Sequence, residues 1–441
     1  MGEKNKEILS VGICGLGTVG GGTLSLLERN AALITARAGC PIRVTNVATR
    51  TPKPDLCGQV AQTGSDPLAV TSDPGVDVVV ETMGGYDAAF EVIKRALSNG
   101  KHVVTANKAL IAERGNELFA LASANEVTLA FESAVAGGIP IIKALREGLA
   151  ANDIEWLAGI INGTGNFILS EMSAKQSEFS EVLQQAQDLG YAEADPTFDV
   201  EGIDAAHKLT IMSAIAFGIP LQFEKTYIEG IGGISSADIS FAEELGYRIK
   251  HLGIARKTVR GVEMRVHPTL ISSTRLLANV NGVGNAVMVQ GNFVGSTLYS
   301  GPGAGAEATA SAVVADLIDL ARDRVAGVKA PVRPALGFTQ ADSSLDVLPI
   351  EQIEVGYYLK IPVLDKLGVM AKLSAVLQER GISIEAIIQK ESENSEIVPV
   401  VILTQVVREQ ELNAALDALA ELDEVTGPVT RIRIEPFDGE A

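Results

Sequence analysis

Short apolar runs alternate with helix-like segments through the first three quarters of the chain. Runs that predict strands occupy residues 8–14, 42–49, 76–81, 102–105, 127–131 and 154–161. Unbroken apolar runs are typical of strands buried on both faces of a parallel sheet. Strands alternating with helices predict an α/β fold. Residues 329–349 are rich in Pro, Ser and Asp and predict a linker.

A glycine motif follows the first predicted strand. Gly15, Gly17 and Gly20 have the spacing GxGxxG, and a helix-like segment runs from 23 to 29. In a dinucleotide fold the first glycine permits the tight turn, the second admits a pyrophosphate and the third lets the helix pack on the strand. A glycine-rich turn without a ligand is the alternative. The strand before it and the helix after it favour nucleotide binding.

The residues at the ends of the next strands bear on the cofactor. The second strand ends in Thr49 and Arg50, and the first acid after it is Asp55. NAD sites usually place an acid there, whereas an arginine suits the 2′-phosphate of NADP. We therefore expect NADP, with a solvated Arg50 as the alternative. Thr82 and Lys108 follow later strands, where ligands of open α/β sheets bind.

Two further segments combine irregular backbone with charge. Residues 132–140 contain paired glycines and small side chains, which fit either an interdomain hinge or main-chain carbonyl ligands for a monovalent cation. The segment 190–209 begins with an acid-rich loop that is expected to be extended. A helix follows this loop and begins near Asp204. Lys208 lies four residues on and shares a helix face with Asp204. This pair is either a surface salt bridge or part of a polar pocket that binds an ammonium group and transfers a proton.

Composition narrows the function classes. Thirty-six basic and fifty-five acidic residues give a net charge of −19, which argues against general binding to nucleic acid or anionic membranes. The longest apolar stretch, 209–221, is shorter than the ~20 residues that a spanning helix needs. Three cysteines without metal spacing favour a reducing cytoplasm. The four histidines, including His207, show no metal pattern and are expected to be structural.

Six motifs taken together resemble the homoserine dehydrogenase family. They are GLGTVG at 15–20, TANKAL at 105–110, FESAVAGGIP at 131–140, NGTGN at 162–166, YAEADPTFDVEGIDAAHKL at 191–209 and GPGAGAEAT at 301–309. The resemblance implies the reversible NAD(P)H-dependent reduction of L-aspartate 4-semialdehyde to L-homoserine, a step towards threonine, methionine and isoleucine. Residues 356–370 begin a strand, turn and helix that resemble an ACT domain, a module that often binds amino acids.

The resemblance also implies roles for individual residues. Lys208 is the expected general acid and base, with Lys108 and Asp204 as its catalytic partners. Glu193, Asp199 and Asp204 are expected to bind the substrate. Including Arg50 and Thr82, the predicted cofactor contacts are Gly15, Leu16, Gly17, Thr18, Val19, Gly20, Arg50, Thr82, Lys108, Gly190 and Gly305. Main-chain carbonyls of Glu132, Val135, Gly137 and Ile139 are expected to hold sodium. The resemblance therefore favours a cation site over an interdomain hinge in this segment. Asp365, Gly368, Val369 and Met370 are expected to line an effector site.

The predicted organisation has three domains. Residues 1–135 form a Rossmann-type domain to which the chain returns at 305–326, and 136–304 form an α+β substrate and dimerisation domain. After a linker at 327–350, residues 351–436 form a βαββαβ ACT domain. We expect a cytoplasmic homo-oligomer, a dimer or tetramer, regulated most simply by threonine. The alternative for the ACT domain is that it only assembles the oligomer. The alternatives for the whole protein are another ACT-bearing dehydrogenase, an aspartate semialdehyde dehydrogenase, and a nucleotide-gated amino acid sensor without catalysis.

Overall fold

A computed structural model describes residues 8–58, 60–328, 333–342, 344–390 and 396–437. The strands are β1 (Leu9–Cys14), β2 (Ile42–Ala48), β3 (Gln62–Gly64), β4 (Val78–Glu81), β5 (His102–Thr105), β6 (Leu129–Ala130), β7 (Ile154–Ile160), β8 (Tyr227–Ile228), β9 (Tyr247–Thr258), β10 (Gly261–Ser272), β11 (Gly284–Gly291), β12 (Gly295–Pro302), β13 (Glu354–Leu364), β14 (Ile384–Gln389), β15 (Ile397–Thr404), β16 (Val407–Arg408) and β17 (Thr430–Ile434). The α-helices are α1 (Thr18–Arg29), α2 (Ala31–Ala38), α3 (Pro67–Ser72), α4 (Asp87–Ser98), α5 (Lys108–Ala124), α6 (Ile141–Lys143), α7 (Gly163–Lys175), α8 (Phe179–Asp188), α9 (Thr197–Val200), α10 (Ile203–Phe217), α11 (Ser236–Glu244), α12 (Ala306–Val325), α13 (Val369–Glu379) and α14 (Glu409–Ala420).

The chain divides into two compact units. The first comprises Met1–Leu157, His207–Glu224 and Asn285–Leu345, and the second comprises Ala158–Ala206, Lys225–Gly284 and Asp346–Ala441. The division falls within β7 and within α10. Residues 1–7 and 59 of the predicted first domain, 329–332 and 343 of the predicted linker, and 391–395 of the predicted ACT domain lie outside the described residues.

A parallel sheet organises the first unit. Its strand order is β3-β2-β1-β4-β5-β6, with β1 paired to β2 on one side and to β4 on the other. The strand order therefore reverses beside β1, and ligands of such sheets bind at the carboxyl ends of the strands on either side of the reversal. Gly15 directly follows β1, and Thr82 directly follows β4. The Rossmann-type fold is confirmed.

Two helices of the first unit begin earlier than the sequence pattern predicts. The expected helix at 23–29 begins at Thr18. The Ala-rich run 310–322 also predicts a helix, and this helix begins at Ala306. Glycine has low helix propensity, so its run at 20–22 hides the first turns of α1. Packing explains the last of these glycines, because a Cβ at Gly22 would lie 2.5 Å from the Ala306 carbonyl oxygen. The backbones of α1 and α12 thus meet directly.

Two details of the loops also differ from expectation. The glycine-rich run 300–309 predicts a turn before the next helix. Residues 300–302 instead end strand β12, so this turn begins only at Gly303. The acid-rich loop is not extended throughout, because Thr197–Val200 form the short helix α9. The Asp195 carboxylate accepts a hydrogen bond of 3.1 Å from the Thr197 N–H, which favours a helical turn at this point.

A second sheet organises the second unit. Its strands lie in the order β9-β10-β17-β13-β15-β14, with β8 beside β10 and β16 beside β13. From β13 onward the described elements follow the predicted βαββαβ order, with the two-residue β16 added. Its last strand, β17, is antiparallel to β13 and parallel to β10. The C-terminal strands therefore continue the sheet begun by β9 and β10.

Both faces of the C-terminal strands are covered. Side chains of β13 and β15 on one face pack with Leu373 of α13 and Leu412 of α14. On the other face Tyr358 and Leu403 share a core with α7, α8 and α11. No helix among the described residues combines the length and the apolar character needed to cross a membrane.

Candidate active site

The glycine turn after β1 forms a place for an anion. Gly15 has φ of +97° and donates its N–H to the Ala48 carbonyl oxygen at 2.8 Å. A Cβ at Gly20 would collide with the Gly15 carbonyl, whereas no described atom lies within 4 Å of a Cβ built on Gly17. Among the described residues, no side chain caps the start of α1 at Gly17. The free N–H groups of this helix end suit a pyrophosphate.

Thr82 and Glu81 fix the neighbouring strand end. The Thr82 hydroxyl donates to the Gly15 carbonyl oxygen at 2.7 Å, which joins the two loops at the reversal of strand order. The Glu81 carboxylate is fully buried and accepts hydrogen bonds from the Met83 N–H (2.8 Å) and the Thr105 hydroxyl (2.7 Å). Burial raises the pKa of Glu81. Sequence reasoning missed this residue, although an acid that ends an apolar strand is a visible signal.

Lys108 is the first residue of α5. Asn107 caps this helix, since its side-chain oxygen accepts the Leu110 N–H at 3.2 Å, and its amide donates to the Gly85 carbonyl oxygen at 2.8 Å. The end of β5 is thereby tied to the loop after β4, with Lys108 beside both. Arg50 lies exposed two residues beyond β2, at the same edge of the sheet.

In the second unit one amide gathers two of the predicted substrate ligands. The Asn162 side-chain nitrogen donates to Asp199 Oδ1 at 2.7 Å and to Asp204 Oδ2 at 2.9 Å. Its oxygen accepts the Gly165 N–H at 2.7 Å and so caps α7. The turn 162–166, which follows a predicted strand, predicts a cap for the next helix. No local pattern reveals that Asn162 also contacts two acids of the next motif.

The other predicted residues of the acidic loop are more exposed. Glu193 lies on the surface, and Gly190 takes a left-handed conformation with φ of +75°. The Thr164 hydroxyl donates to the Tyr191 carbonyl oxygen at 2.8 Å, which holds the loop beside the start of α7. Glu193 is therefore close in sequence to a fixed point but open to solvent.

Helix α10 carries both Asp204 and Lys208. They lie one turn apart on the same face, and their exposed fractions are 4% and 8%. This burial excludes the surface salt bridge as an account of the pair. Ionised groups at this depth require partners or a ligand, because burial without compensation is costly.

The predicted cation segment has the irregular backbone that its glycines suggest. Ala136 and Gly137 have φ of +54° and +50°. A Cβ at Gly137 would lie 2.5 Å from the Gly303 carbonyl oxygen, and the Gly138 N–H donates to the Pro302 carbonyl oxygen at 3.0 Å. The paired glycines therefore allow the backbone of 137–138 to pack on the glycine-rich turn that contains Gly305 and precedes α12.

The Glu132 side chain is occupied elsewhere. Its two carboxylate oxygens accept the N–H groups of Ile142 (3.0 Å) and Lys143 (2.9 Å). Burial and the nearby Asp316 carboxylate raise the pKa of Glu132 to about 7. No group of three or more His, Cys, Asp or Glu side chains within the described ranges could hold a metal ion, so a cation here would depend on main-chain oxygens.

The predicted effector residues occupy the turn after β13 and the first two positions of α13. Gly368 has φ of +89° and precedes the first residue of α13, Val369, whose side chain is buried. The Asp365 N–H donates to the Glu396 carbonyl oxygen at 2.9 Å. In this part of the described chain no side chain caps α13.

Comparison with known proteins identifies the family. Residues 15–132 match the model described as "Homoserine dehydrogenase, NAD binding domain", and residues 140–318 match "Homoserine dehydrogenase". The chain belongs to the homoserine dehydrogenase family. Residues 357–424 match the ACT domain, which confirms the second resemblance.

Relatives match along nearly the whole chain. The homoserine dehydrogenase of Pseudomonas aeruginosa is 59% identical, covering 98% of this chain and 99% of its own. That of Neisseria gonorrhoeae is 52% identical and covers 97% and 98%. The crystal structure of a homoserine dehydrogenase from Thiobacillus denitrificans is 55% identical, with a TM-score of 0.93, and covers 98% of this chain and 99% of its own. A hyperthermophilic archaeal homoserine dehydrogenase in complex with NADPH is 28% identical, with a TM-score of 0.61, and covers 71% and 97%.

These matches confirm the predicted fold and reaction. The chain is a homoserine dehydrogenase with an NAD(P)-binding Rossmann-type domain, a second sheet domain and a C-terminal ACT domain. It interconverts L-aspartate 4-semialdehyde and L-homoserine. The roles of individual residues in this homoserine dehydrogenase stay predictions.

Proposed function

We propose that Lys208 is the general acid in aldehyde reduction and the general base in homoserine oxidation. The observation that supports this most is the position of Lys208, buried on α10 one turn from Asp204, a carboxylate that Asn162 holds beside Asp199. A carboxylate pair attracts an ammonium group, and a lysine one turn away can exchange a proton with an oxygen of the same small substrate.

Each residue has a part in this chemistry. A bound nicotinamide cofactor supplies or accepts the hydride. Negative charge develops on the aldehyde oxygen during reduction, and a cation or proton donor at that oxygen stabilises it. Lys208 donates the proton there, and Lys108, at the start of α5, contributes positive charge. Glu193, Asp199 and Asp204 hold the substrate ammonium group.

The cofactor would lie along the carboxyl end of the first sheet. The uncapped start of α1 and the open side of Gly17 fit the pyrophosphate, and Leu16, Thr18 and Val19 line the same turn. Exposed Arg50, beyond β2, fits a 2′-phosphate, so we propose NADP as the preferred cofactor, with NAD as the alternative. The archaeal relative bound to NADPH agrees with this choice. Gly190 and Gly305 are proposed as further cofactor contacts.

Three finer proposals accompany this mechanism. Main-chain carbonyls of Glu132, Val135, Gly137 and Ile139 hold a monovalent cation such as sodium, supported by the left-handed turn at 136–137. Residues 365–370, the turn before α13 and the start of that helix, take an amino-acid effector, most simply threonine. The enzyme is a homo-oligomer that works in the cytoplasm.

A lysine substitution tests the proposed function. We expect Lys208→Ala to lower kcat by about 10² or more, while NADPH binding stays close to that of the wild type. The assay follows formation of reduced cofactor from L-homoserine. Lys175→Ala is the matched control, because Lys175 forms a surface pair with Glu171 on α7. Near-normal turnover of Lys208→Ala would refute the assigned role.

A further inference from the structure

A buried polar contact joins α5 to α10. His207 Nε2 lies 3.0 Å from Glu113 Oε1, and the side chain of His207 is only 2% exposed. The His207 ring also stacks on Phe223, with ring centroids 4.3 Å apart and an angle of 24° between the planes. All three residues belong to the first unit.

The chemistry of this contact fixes its direction. An ionised carboxylate only accepts hydrogen bonds, so His207 Nε2 carries the hydrogen and is the donor of the hydrogen bond to Glu113. The stack on Phe223 fixes the plane of the ring while the hydrogen bond fixes its rotation within that plane. Tyr86 also hydrogen-bonds Glu113, from the loop that follows β4. One carboxylate therefore receives groups from two different segments.

The two helices that this contact joins carry the two candidate catalytic lysines. Lys108 begins α5, and Glu113 lies about 7.5 Å further along the same helix axis. Lys208 directly follows His207 on α10. Rotation or sliding of α10 against α5 would move Lys208 relative to Lys108, and the contact between Glu113 and His207 opposes both movements.

We infer that Glu113 and His207 are positioning residues for the dehydrogenase reaction, holding Lys208 in register with Lys108. This inference rests on the proposed role of Lys208. Neither residue is assigned a contact with the substrate. Tyr86 extends the same support to the loop after β4, so that this loop and α10 share one anchor at Glu113.

A contact that served stability alone would not need to be polar. Replacing a buried polar pair with well-packed apolar groups is often neutral or stabilising. A hydrogen bond adds a fixed direction and distance, and errors of about 1 Å in the placement of catalytic groups cost up to ~10²-fold in rate. The polar pair in the contact of α10 with α5 therefore suits a positioning role.

Substitutions at both ends of the contact separate positioning from stability. His207→Phe keeps a ring for the stack on Phe223 but loses the N–H donor, whereas His207→Gln keeps a donor at the Nε2 position. We expect His207→Phe to lower kcat about tenfold or more, with the KM for NADP unchanged, and His207→Gln to recover most of that loss. Glu113→Ala should match His207→Phe, and Glu113→Gln, which keeps an acceptor oxygen, should stay near the wild type.

The double variant and two controls complete the experiment. Because both residues act through one contact, Glu113→Ala with His207→Phe should cost no more than the worse single variant. Glu117→Ala is the matched control on α5, since Glu117 pairs with Arg114 instead. Turnover of His207→Phe within twofold of the wild type, or additive losses in the double variant, would overturn the inference. Lys208→Ala, measured in parallel, shows separately whether the proposed function itself fails.

Discussion

The side-chain amide of Asn162 organises the polar cluster that it forms with Asp199 and Asp204 in the second unit. Its nitrogen serves two carboxylates, those of Asp199 and Asp204. Two carboxylates near one amide repel each other. In the proposed site, a substrate ammonium group between them would relieve that repulsion. The proposed site would thus gain affinity for a cation from a contact that is unfavourable without one.

Two substitutions at Asn162 separate binding from helix capping. Asn162→Ser keeps an N-cap oxygen for α7 but cannot donate to both carboxylates, and Asn162→Ala loses both functions. We expect both variants to raise the KM for homoserine about tenfold, because a lost hydrogen bond to a charged group costs ~1.5–3 kcal/mol. Only Asn162→Ala should also lower the thermal midpoint. A KM that follows the thermal midpoint instead would show that Asn162 acts only as a cap.

Arg50 makes a separate prediction about the cofactor. Arg50→Ala should raise the KM for NADP about tenfold and leave the KM for NAD unchanged, because only NADP carries the 2′-phosphate. Steady-state kinetics with both cofactors measure the ratio. Arg43→Ala is the control, since Arg43 is an exposed arginine within the same strand β2. Equal effects on NADP and NAD would remove Arg50 from the specificity site.

Among individual residues, the sequence best predicts those that are positioned by their immediate neighbours in the chain. Gly15, Gly17 and Thr82 lie at strand ends as expected, because the strand that positions each one precedes it directly in sequence. His207 and Glu113 are 94 residues apart, and their contact leaves no local pattern. Such residues become visible only once the helices are packed.

Among the elements, α1 and α12 approach each other closely at a glycine. Gly22 lies against the Ala306 carbonyl group at the first residue of α12. This contact sets how the start of α12, just after the predicted cofactor contact Gly305, lies against α1. Small residues here thus help to shape the candidate nucleotide site.

Adjacent glycines of α1 allow a matched test. Gly22→Ala places a Cβ 2.5 Å from a backbone oxygen, and the overlap should destabilise the fold by about 1–3 kcal/mol. At Gly21 the nearest atom to a Cβ is 3.6 Å away, in ordinary contact. Gly21→Ala should therefore stabilise the helix by up to ~1 kcal/mol. Denaturation midpoints followed by circular dichroism compare the two, and equal midpoints would contradict the packing argument.

The sequence predicts elements best where burial and propensity agree. β1 and β4 are short apolar strands and lie within one or two residues of their predicted bounds. β3 escapes prediction because Gln62–Gly64 are exposed and only three residues long. The start of α1 is predicted five residues late, because packing against α12 selects glycine where helix propensity disfavours it.

Across the second unit, a buried arginine joins the C-terminal region to the rest. Arg433 of β17 is fully buried. Its Nε and Nη1 donate to Glu409 of α14 at 2.7 Å and to Glu229 at 2.8 Å. The Glu229 carbonyl oxygen in turn contacts His251 Nε2 of β9 at 2.9 Å. Charge pairing thus accompanies the shared sheet and the shared core.

Removal of this arginine should weaken the whole second unit. Arg433→Met leaves Glu409 buried without its main partner, and breaking such a pair typically costs ~3–5 kcal/mol. Arg431→Met is the control, because Arg431 contacts the same two glutamates but its side chain is 22% exposed, so we expect a loss of at most ~1 kcal/mol. Chemical denaturation measures both variants. A midpoint for Arg433→Met as high as that of the control would show that the network adds little.

The order of elements can be predicted from the sequence, but the pairing of distant strands cannot. The βαββαβ order of the C-terminal region is predictable because each strand and helix carries its own pattern. The pairing of β17 with β10 joins residues more than 150 positions apart, and nothing local in either strand specifies it. The continuous sheet is therefore a finding of the structure.

The position of β17 has a consequence for biosynthesis. Strand β10 leaves the ribosome about 160 residues before β17 is made, and β17 covers the part of one β10 edge next to the part that β8 covers. At ~5–20 residues per second the nascent chain waits about 8–32 s with that edge incomplete. Unpaired edges invite pairing with other chains. Slow translation or early termination before Thr430 should therefore yield insoluble product in preference to a smaller active enzyme.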